Sequence, residues 1–532
     1  MSPHYDIVIV GAGASGAAAA WNLSKKFKRI ACLEQGDWVK AETYPSNFND
    51  WEIQKTSNFS PFPNVRKLES DYLINDSNSQ ISIANFNGVG GSTILYSGHF
   101  PRLHPSDFKT FSLDEVGHDW PISYKDLENF YNLNDEMTGV SGLEGDPAYP
   151  EIKNMQPPIA MGSIAKTLGT GFNNLGWHWW PSYSAIITRE KDGRGACKNL
   201  GPCNTGCPQG AKSSSDITYW PKALKNGVDL ITNSRVREVI TDKQDKVKGV
   251  VYYDENGAEQ EIKAKIVILA CNGIGTPRIL LNSYSNLHKE VLANRSTQVG
   301  KNLMLHPLGF VEGFFENAKD YHHGPHGSCI LSQEFYETDE SRGFKRGFTM
   351  QVLRSPEAIE LASSGIQRRL ISLGKNHFAD FKKFYGKTAG ISIICEDLPE
   401  ETNRVILDDE LKDSNGIACP KVFYKLGNNT KKMMSFGIER AKEVMDAAGA
   451  SKTYSFGPVR NTGWHLMGTT RMGVDRETSV VNKYGMCHDV ENLYIVDSSV
   501  FPTSGGVNPA SSIQALALFI TEQIKENHHV IN

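Results

Sequence analysis

Short apolar runs and amphipathic stretches alternate at both ends of the chain, and the middle follows a different rhythm. The pattern predicts a buried strand at 6–10, an Ala-rich helix at 17–23 and a second strand at 29–34. Residues 35–85 are polar and irregular, and a Gly-rich turn follows at 88–91. Helical texture runs over 124–137 after the turn signal Trp120-Pro121. Beyond Gly227 the texture is strand-like at 229–232, 236–240, 247–253 and 261–265, with a separate, wholly apolar strand at 266–270. From about 310 to 455, strand-like segments alternate, with a long helix near 431–448. A strand at 493–496 and a helix at 509–525 close the chain. Nucleotide-fold elements at both ends, with dissimilar material between, predict one domain assembled from discontinuous pieces.

Composition narrows the function classes. A chain of 532 residues, 39% hydrophobic and 22% charged, is long enough for several domains and is neither disordered nor fibrous. With 56 basic against 60 acidic side chains, it carries no electrostatic footprint for nucleic acid. No apolar run approaches the ~20 residues of a membrane span. The first strand starts so near the beginning of the sequence that no export leader fits before it, so the expected compartment is the cytoplasm. Nine cysteines are too sparse for a secreted disulfide framework, yet Cys197, Cys203 and Cys207 bunch together. Cys32 and Cys271 fall in apolar strands and read as core, and Cys329, Cys395, Cys419 and Cys487 read as isolated.

The strongest local signal is Gly11-Ala12-Gly13-Ala14-Ser15-Gly16, directly after the first strand and opening a helix. Glycines there permit a tight turn, close backbone approach to a pyrophosphate and close helix–strand packing. The helix N-terminus supplies N–H donors. Glu34 ends the second strand, where a carboxylate can accept hydrogen bonds from an unphosphorylated ribose. These features predict a dinucleotide site, with FAD and NAD both open at this point.

Further motifs resemble those of the glucose–methanol–choline (GMC) flavoprotein oxidoreductases, in family order across nearly the whole chain. They are Gly88-Val89-Gly90-Gly91-Ser92-Thr93, the segments 273–283 and 299–307, His465 through Gly473, and Asp497 through Asn508-Pro509. The resemblance implies an α/β (α+β composite) fold: a Rossmann-type FAD-binding domain from discontinuous segments, 1–310 and 461–532, plus a sheet-and-helix substrate cap, 311–460. It implies FAD contacts at Gly11, Gly13, Ala14, Ser15, Gly16, Glu34, Gln35, Gly90, Gly91, Ser92, Tyr96, Val236, Ala270, Asp497, Asn508 and Pro509. Some relatives attach flavin through a His where this chain has Leu95, so non-covalent FAD is expected. Tyr96 replaces the family Asn.

His465 and Asn508 match the family's active-site pair. A neutral imidazole can take the hydroxyl proton as hydride leaves for flavin N5, and an amide can hold the alcohol oxygen. Asn508-Pro509 also has the form of a helix N-cap followed by Pro. The stretch 197–212 resembles a segment of the gluconate, fructose and bacterial FAD-dependent glucose dehydrogenases, several of which carry a three-iron cluster on such cysteines. That leaves two readings, a 3Fe-4S cluster on Cys197, Cys203 and Cys207 or reduced structural thiols.

The expected activity is oxidation of a sugar or polyol hydroxyl, with electrons passed to an external acceptor. The alternatives are an oxidase of the same family using O2 and, less favoured, a lyase with FAD as scaffold. A small subunit and an acceptor protein are the implied partners, and export bound to such a subunit is the alternative to a cytoplasmic location. His99, His306 and the tract His322-His323-Gly324-Pro325-His326 are expected in solvated loops without a matching metal-binding group. Trp177-His178-Trp179-Trp180 is expected to pack near the substrate domain.

Overall fold

A computed structural model describes residues 4–287, 289–324, 329–367 and 369–527. Its largest sheet runs in the order Asp229–Ile231, Ile30–Leu33, His4–Val10, Glu259–Leu269, Val247–Tyr253, Arg235–Thr241. The first four strands are parallel, the last two run antiparallel, and Leu493–Ile495 adds a further parallel strand against Glu259–Leu269. Helices cover this sheet, which is why Ile7, Val8, Ile9 and Val267 to Leu269 can all be apolar and fully buried. Helix Ala14–Ser24 packs on helices Ser215–Lys225 and Ala510–Glu526. Its run Ala17–Ala20 is fully buried, the small side chains permitting close approach.

The separate strands expected at 261–265 and 266–270 are one strand, Glu259–Leu269. Its first half pairs antiparallel with Val247–Tyr253 and its second half lies among parallel neighbours. The change from mixed to wholly apolar sequence marks that change of surroundings, not a break in the strand.

The second sheet is antiparallel and six-stranded, in the order Lys452–Phe456, Leu308–Phe314, Thr388–Cys395, Phe348–Leu353, Ile330–Ser332, Trp180–Pro181. Phe348, Met350, Val352, Ile391 and Ile393 bury one face together with Met433, Met434, Val444 and Met445 of helix Asn428–Ala447. The alternate positions, among them Gln351, Leu353, Ser392 and Ile394, line a cavity between the two sheets. Hairpin strands Arg404–Lys412 and Ala418–Tyr424 join Asn75–Ser79 in a third sheet. There Asp413 accepts from Arg278 at 2.6 Å.

Candidate active site

The cavity measures about 970 Å³ and runs from the glycine loop to the cap sheet. At its nucleotide end the first strand stops at Val10 and the chain turns at Gly11, whose φ is +98°. A methyl group there would lie 2.7 Å from the Ala270 carbonyl oxygen. Across the cavity floor Gly91 has φ +54°, and a methyl group on it would stand 2.8 Å from Gly13 Cα. The two loops therefore touch backbone to backbone and leave a cradle that side chains would fill.

Glu34 sits where the sequence predicts, at the cavity wall. Its carboxylate accepts the Ala12 N–H at 2.8 Å and the Gly36 N–H at 2.9 Å. Burial nevertheless pushes it up to about 7, against those bonds. Gly13, Ala14, Ser15, Gln35, Ser92, Tyr96, Val236, Ala270, Asp497, Asn508 and Pro509 also line the cavity. Two predicted contacts do not: Gly16 packs behind the loop against the Gly11 carbonyl, and Gly90 lies against Asp216. They shape the cradle without bordering it. Asp497 accepts from Thr276 Oγ at 2.6 Å and from the Ser499 N–H at 2.8 Å, and burial raises its pKa. An extended dinucleotide fits this donor set: a helix N-terminus behind a glycine turn, an acid at the end of the second strand, and a bare backbone floor.

At the cap end, the segments around 304 and 467 meet in an antiparallel bridge, Met304 opposite Met467. Two residues further along, this register sets His306 opposite His465, their Nδ1 atoms 2.9 Å apart and their rings nearly perpendicular at 86°. His306 is not in a solvated loop as expected: it is fully buried, with φ +49°. Its Nε2–H donates to the Gly505 carbonyl at 2.6 Å. A neutral imidazole has one N–H, so His306 Nδ1 holds a lone pair and accepts the Nδ1–H of His465. The lone pair of His465 is then on Nε2. Burial first, then His306 and His99, hold His465 well below its ordinary pKa, and burial pulls His306 down to about 4. Both rings are neutral at neutral pH.

Asn508 is half-buried beside the cavity, and its Oδ1 accepts from Gln351 Nε2 of the cap sheet. That bond leaves the amide N–H groups for a ligand. The N-cap expectation fails: the last helix begins at Ala510 with Pro509 as its cap residue and no side-chain cap bond. Sequence reading had no signal for Gln351, because a lone Gln in a strand is uninformative until the sheet turns it toward Asn508.

His99, also expected in solvent, is buried and borders the cavity. Beneath the loop that follows Gly91 lies Lys212, buried at 2% exposure. It donates to the carbonyls of Ile94 (2.6 Å), Tyr96 (2.8 Å) and Thr93 (3.4 Å), and burial pulls it down to about 8. Tyr96 donates its hydroxyl to the Ser213 carbonyl at 2.8 Å.

The three bunched cysteines are half-buried. Burial pushes Cys197 up to about 11, with smaller contributions from Cys203 and Cys207. Between them Asn204 reaches the cavity wall. Cys329 is not isolated as expected: after burial, it is Cys203 that raises it, to about 11. Among the described residues the three Sγ atoms do not converge within 4.8 Å, the distance at which one ion would gather them. The ligand atoms of Asp320, His322 and His323 do converge within that distance, so the tract has the second group that sequence reading missed. Pro325 and His326 lie outside the described residues. Trp177 packs edge-on to Phe335 and Trp179 against Gly169, in keeping with their expected packing role.

Two GMC oxidoreductase family models match, an N-terminal one over residues 5–308 and a C-terminal one over 399–517. The chain is 40% identical to 2-methyl-1,2-propanediol dehydrogenase of Mycolicibacterium austroafricanum over 520 residues, 96% of this chain and 94% of that protein. It is 27% identical to the fructose dehydrogenase large subunit of Gluconobacter japonicus, over 98% of this chain and 97% of that protein. Its fold resembles pyridoxine 4-oxidase from Mesorbium loti, with TM-score 0.68 and 16% identity over 99% of this chain and 100% of that one. No helix among the described residues is long and apolar enough to cross a membrane. With the family models spanning most of its length, the chain belongs to the GMC oxidoreductases and is an alcohol or sugar oxidoreductase.

Proposed function

We propose that this protein oxidises an alcohol hydroxyl with non-covalent FAD, using His465 as base and Asn508 as the oxygen-binding amide. FAD, when bound, accepts the hydride of the alcohol carbon. The glycine turn and the N-terminus of helix Ala14–Ser24 would hold its pyrophosphate, Glu34 its ribose, and Val236 its adenine through main chain. The loop Gly90–Tyr96 with Ala270, Asp497 and Pro509 would hold the remainder.

The observation that carries this reading is the hydrogen-bonded chain Gly505–His306–His465, which leaves the lone pair on His465 Nε2. Nε2 takes the hydroxyl proton while the carbon–hydrogen bond breaks, and the carbonyl product forms. Asn508, braced by Gln351, donates to the substrate oxygen and keeps it in line. Buried Lys212 fixes the loop opposite. Anaerobic addition of alcohol to the purified yellow protein tests the reading: bleaching of flavin absorbance is expected. A protein whose flavin is bleached by no alcohol would point to the lyase alternative instead.

For the acceptor we favour a carrier other than O2, because the cysteine loop reaches the cavity through Asn204. Cys197, Cys203 and Cys207 would hold a three-iron cluster there, which supplies one-electron conduction. An iron and sulfide assay separates this from the oxidase reading, in which iron is absent and the reduced flavin reoxidises rapidly in air.

A further inference from the structure

The Gly505 carbonyl that fixes the His306 ring belongs to a peptide between two glycines, Gly505 and Gly506. Without a Cβ on either side, such a peptide can rotate and carry its carbonyl away. Packing is the reason for both glycines. Gly505 has φ +61°, and a methyl group there would overlap Leu103. On Gly506 a methyl group would stand 3.0 Å from Tyr336 Cε2. Ser504 Oγ lies 3.1 Å from the Gly505 oxygen but is closer to the Asp397 carbonyl, at 2.8 Å. Another group must hold the peptide.

That group is Tyr336. The Gly506 N–H, the other end of the same peptide group, donates to the Tyr336 hydroxyl at 3.0 Å. The hydroxyl donates in turn to Asp107 Oδ2 at 2.7 Å. Asp107 is fully buried and also accepts from the His104 N–H at 2.7 Å and from Arg346. The Tyr336 ring is 1% exposed and stacks on the His104 ring at 4.0 Å and 20°. The bonds form one directed series: His465 to His306, His306 to the Gly505 carbonyl, Gly506 to Tyr336, and Tyr336 to Asp107. Every donor points the same way, and bonds in such a series polarise one another.

We propose that Tyr336 is a positioning residue. Its hydroxyl, held by Asp107, locks the Gly505–Gly506 peptide with the carbonyl on His306, and so keeps the proton-accepting lone pair on His465 Nε2. The catalytic consequence rests on the alcohol-oxidation reading above; the locking of the peptide does not.

The test uses FAD-loaded protein whose histidines are isotopically labelled at nitrogen, as wild type and Tyr336→Phe. Nitrogen NMR reads which ring nitrogen carries hydrogen, with the His465 signal assigned by its loss in His465→Ala. Wild type is expected to carry hydrogen on His306 Nε2 and His465 Nδ1. In Tyr336→Phe, which keeps the ring stack, the His465 hydrogen should redistribute between its two nitrogens. Flavin reduction by an alcohol that bleaches the wild type should then slow about 3- to 30-fold, its half-saturating concentration changing less than about twofold. Gly506→Ala, which crowds the Tyr336 ring from the peptide side, should redistribute the hydrogen too and decides the question if Tyr336→Phe does not fold. A merely structural role would lower FAD content or weaken substrate binding and leave the His465 tautomer unchanged, which overturns the proposal. Wild-type protein with hydrogen on His465 Nε2 overturns it as well. If no alcohol bleaches the wild-type flavin, the alcohol-oxidation reading falls, and the His465 tautomer still decides what Tyr336 holds.

Discussion

The nucleotide half and the cap bury their sheets by opposite rules. The parallel sheet is covered by helices, so the inner stretches of its central strands, Ile7–Val10 and Ile266–Leu269, are apolar at every position and the cavity is met at strand ends, by turns and backbone. The cap sheet is covered on one face by a single long helix and gives its other face to the cavity, so each strand alternates between core and chamber. One half offers the cavity main chain held by glycines; the other offers it side chains. Substitutions should therefore fail differently in the two halves.

The largest effect belongs to the side-chain end. His465→Ala should retain FAD yet slow alcohol-driven flavin reduction by about 100- to 10,000-fold, read by anaerobic stopped flow. Normal turnover in that variant would refute the mechanism.

Next comes the joint between the halves. Arg346, fully buried, donates to Glu396 (3.0 Å) and Asp114 (3.1 Å) and also pairs with Asp107. Arg346→Met strands three carboxylates in the interior and should cost about 3–5 kcal/mol in urea unfolding. If the two halves are one cooperative unit, the whole transition moves; a split transition would show that the cap unfolds by itself.

In the main-chain half, Gly91→Ala must adopt a positive φ and push a methyl group against Gly13 Cα. That should cost about 1–3 kcal/mol of FAD affinity. Flavin content after dialysis measures it. Protein that refolds with full flavin would mean that the loops need not touch.

The smallest effect is with pH. Because the folded pKa of His465 is depressed, Nε2 stays deprotonated as pH falls through the ordinary value of about 6.5. Flavin reduction should change less than about twofold between pH 8 and 6.5 and decline only at more acid pH. Stability has the same sign. Below about 6.5 the unfolded chain binds protons that His99, His306 and His465 refuse when folded, so stability is complete above that pH and lost below it. A bell centred on an unshifted histidine would show the ring to be more solvated than its packing here implies.

Much of the nucleotide half is legible in the sequence, because its signals are local. A strand, a glycine turn, a helix and a second strand, read in order along one local stretch, place Gly11, Gly13 and Glu34 at the cavity before any tertiary contact is known. Gly16 and Gly90, expected in the same site, pack behind the loops and do not border the cavity. In the cap end the signal was weaker. His99, Gln351 and Cys329 stand alone in sequence, and isolated residues of those types are usually solvated or core; His306 lies in a family-like segment, but its partner His465 is 159 positions away. Asn508 lines the cavity as the resemblance implied, but its bond was not legible: Gln351 lies 157 positions away and takes the contact a helix cap would have used.

By itself the sequence determined the order of the nucleotide-fold elements and the glycine turn, since these depend on spacing along a short stretch of chain. Only the tertiary structure decided the rest. It set His306 opposite His465 through a two-strand bridge, fixing the tautomer. It brought His99 and Gln351 to one chamber and carried the cysteine loop to the cavity wall. Proton positions and chamber chemistry depend on which distant groups meet after burial, and that is settled by packing, not by spacing.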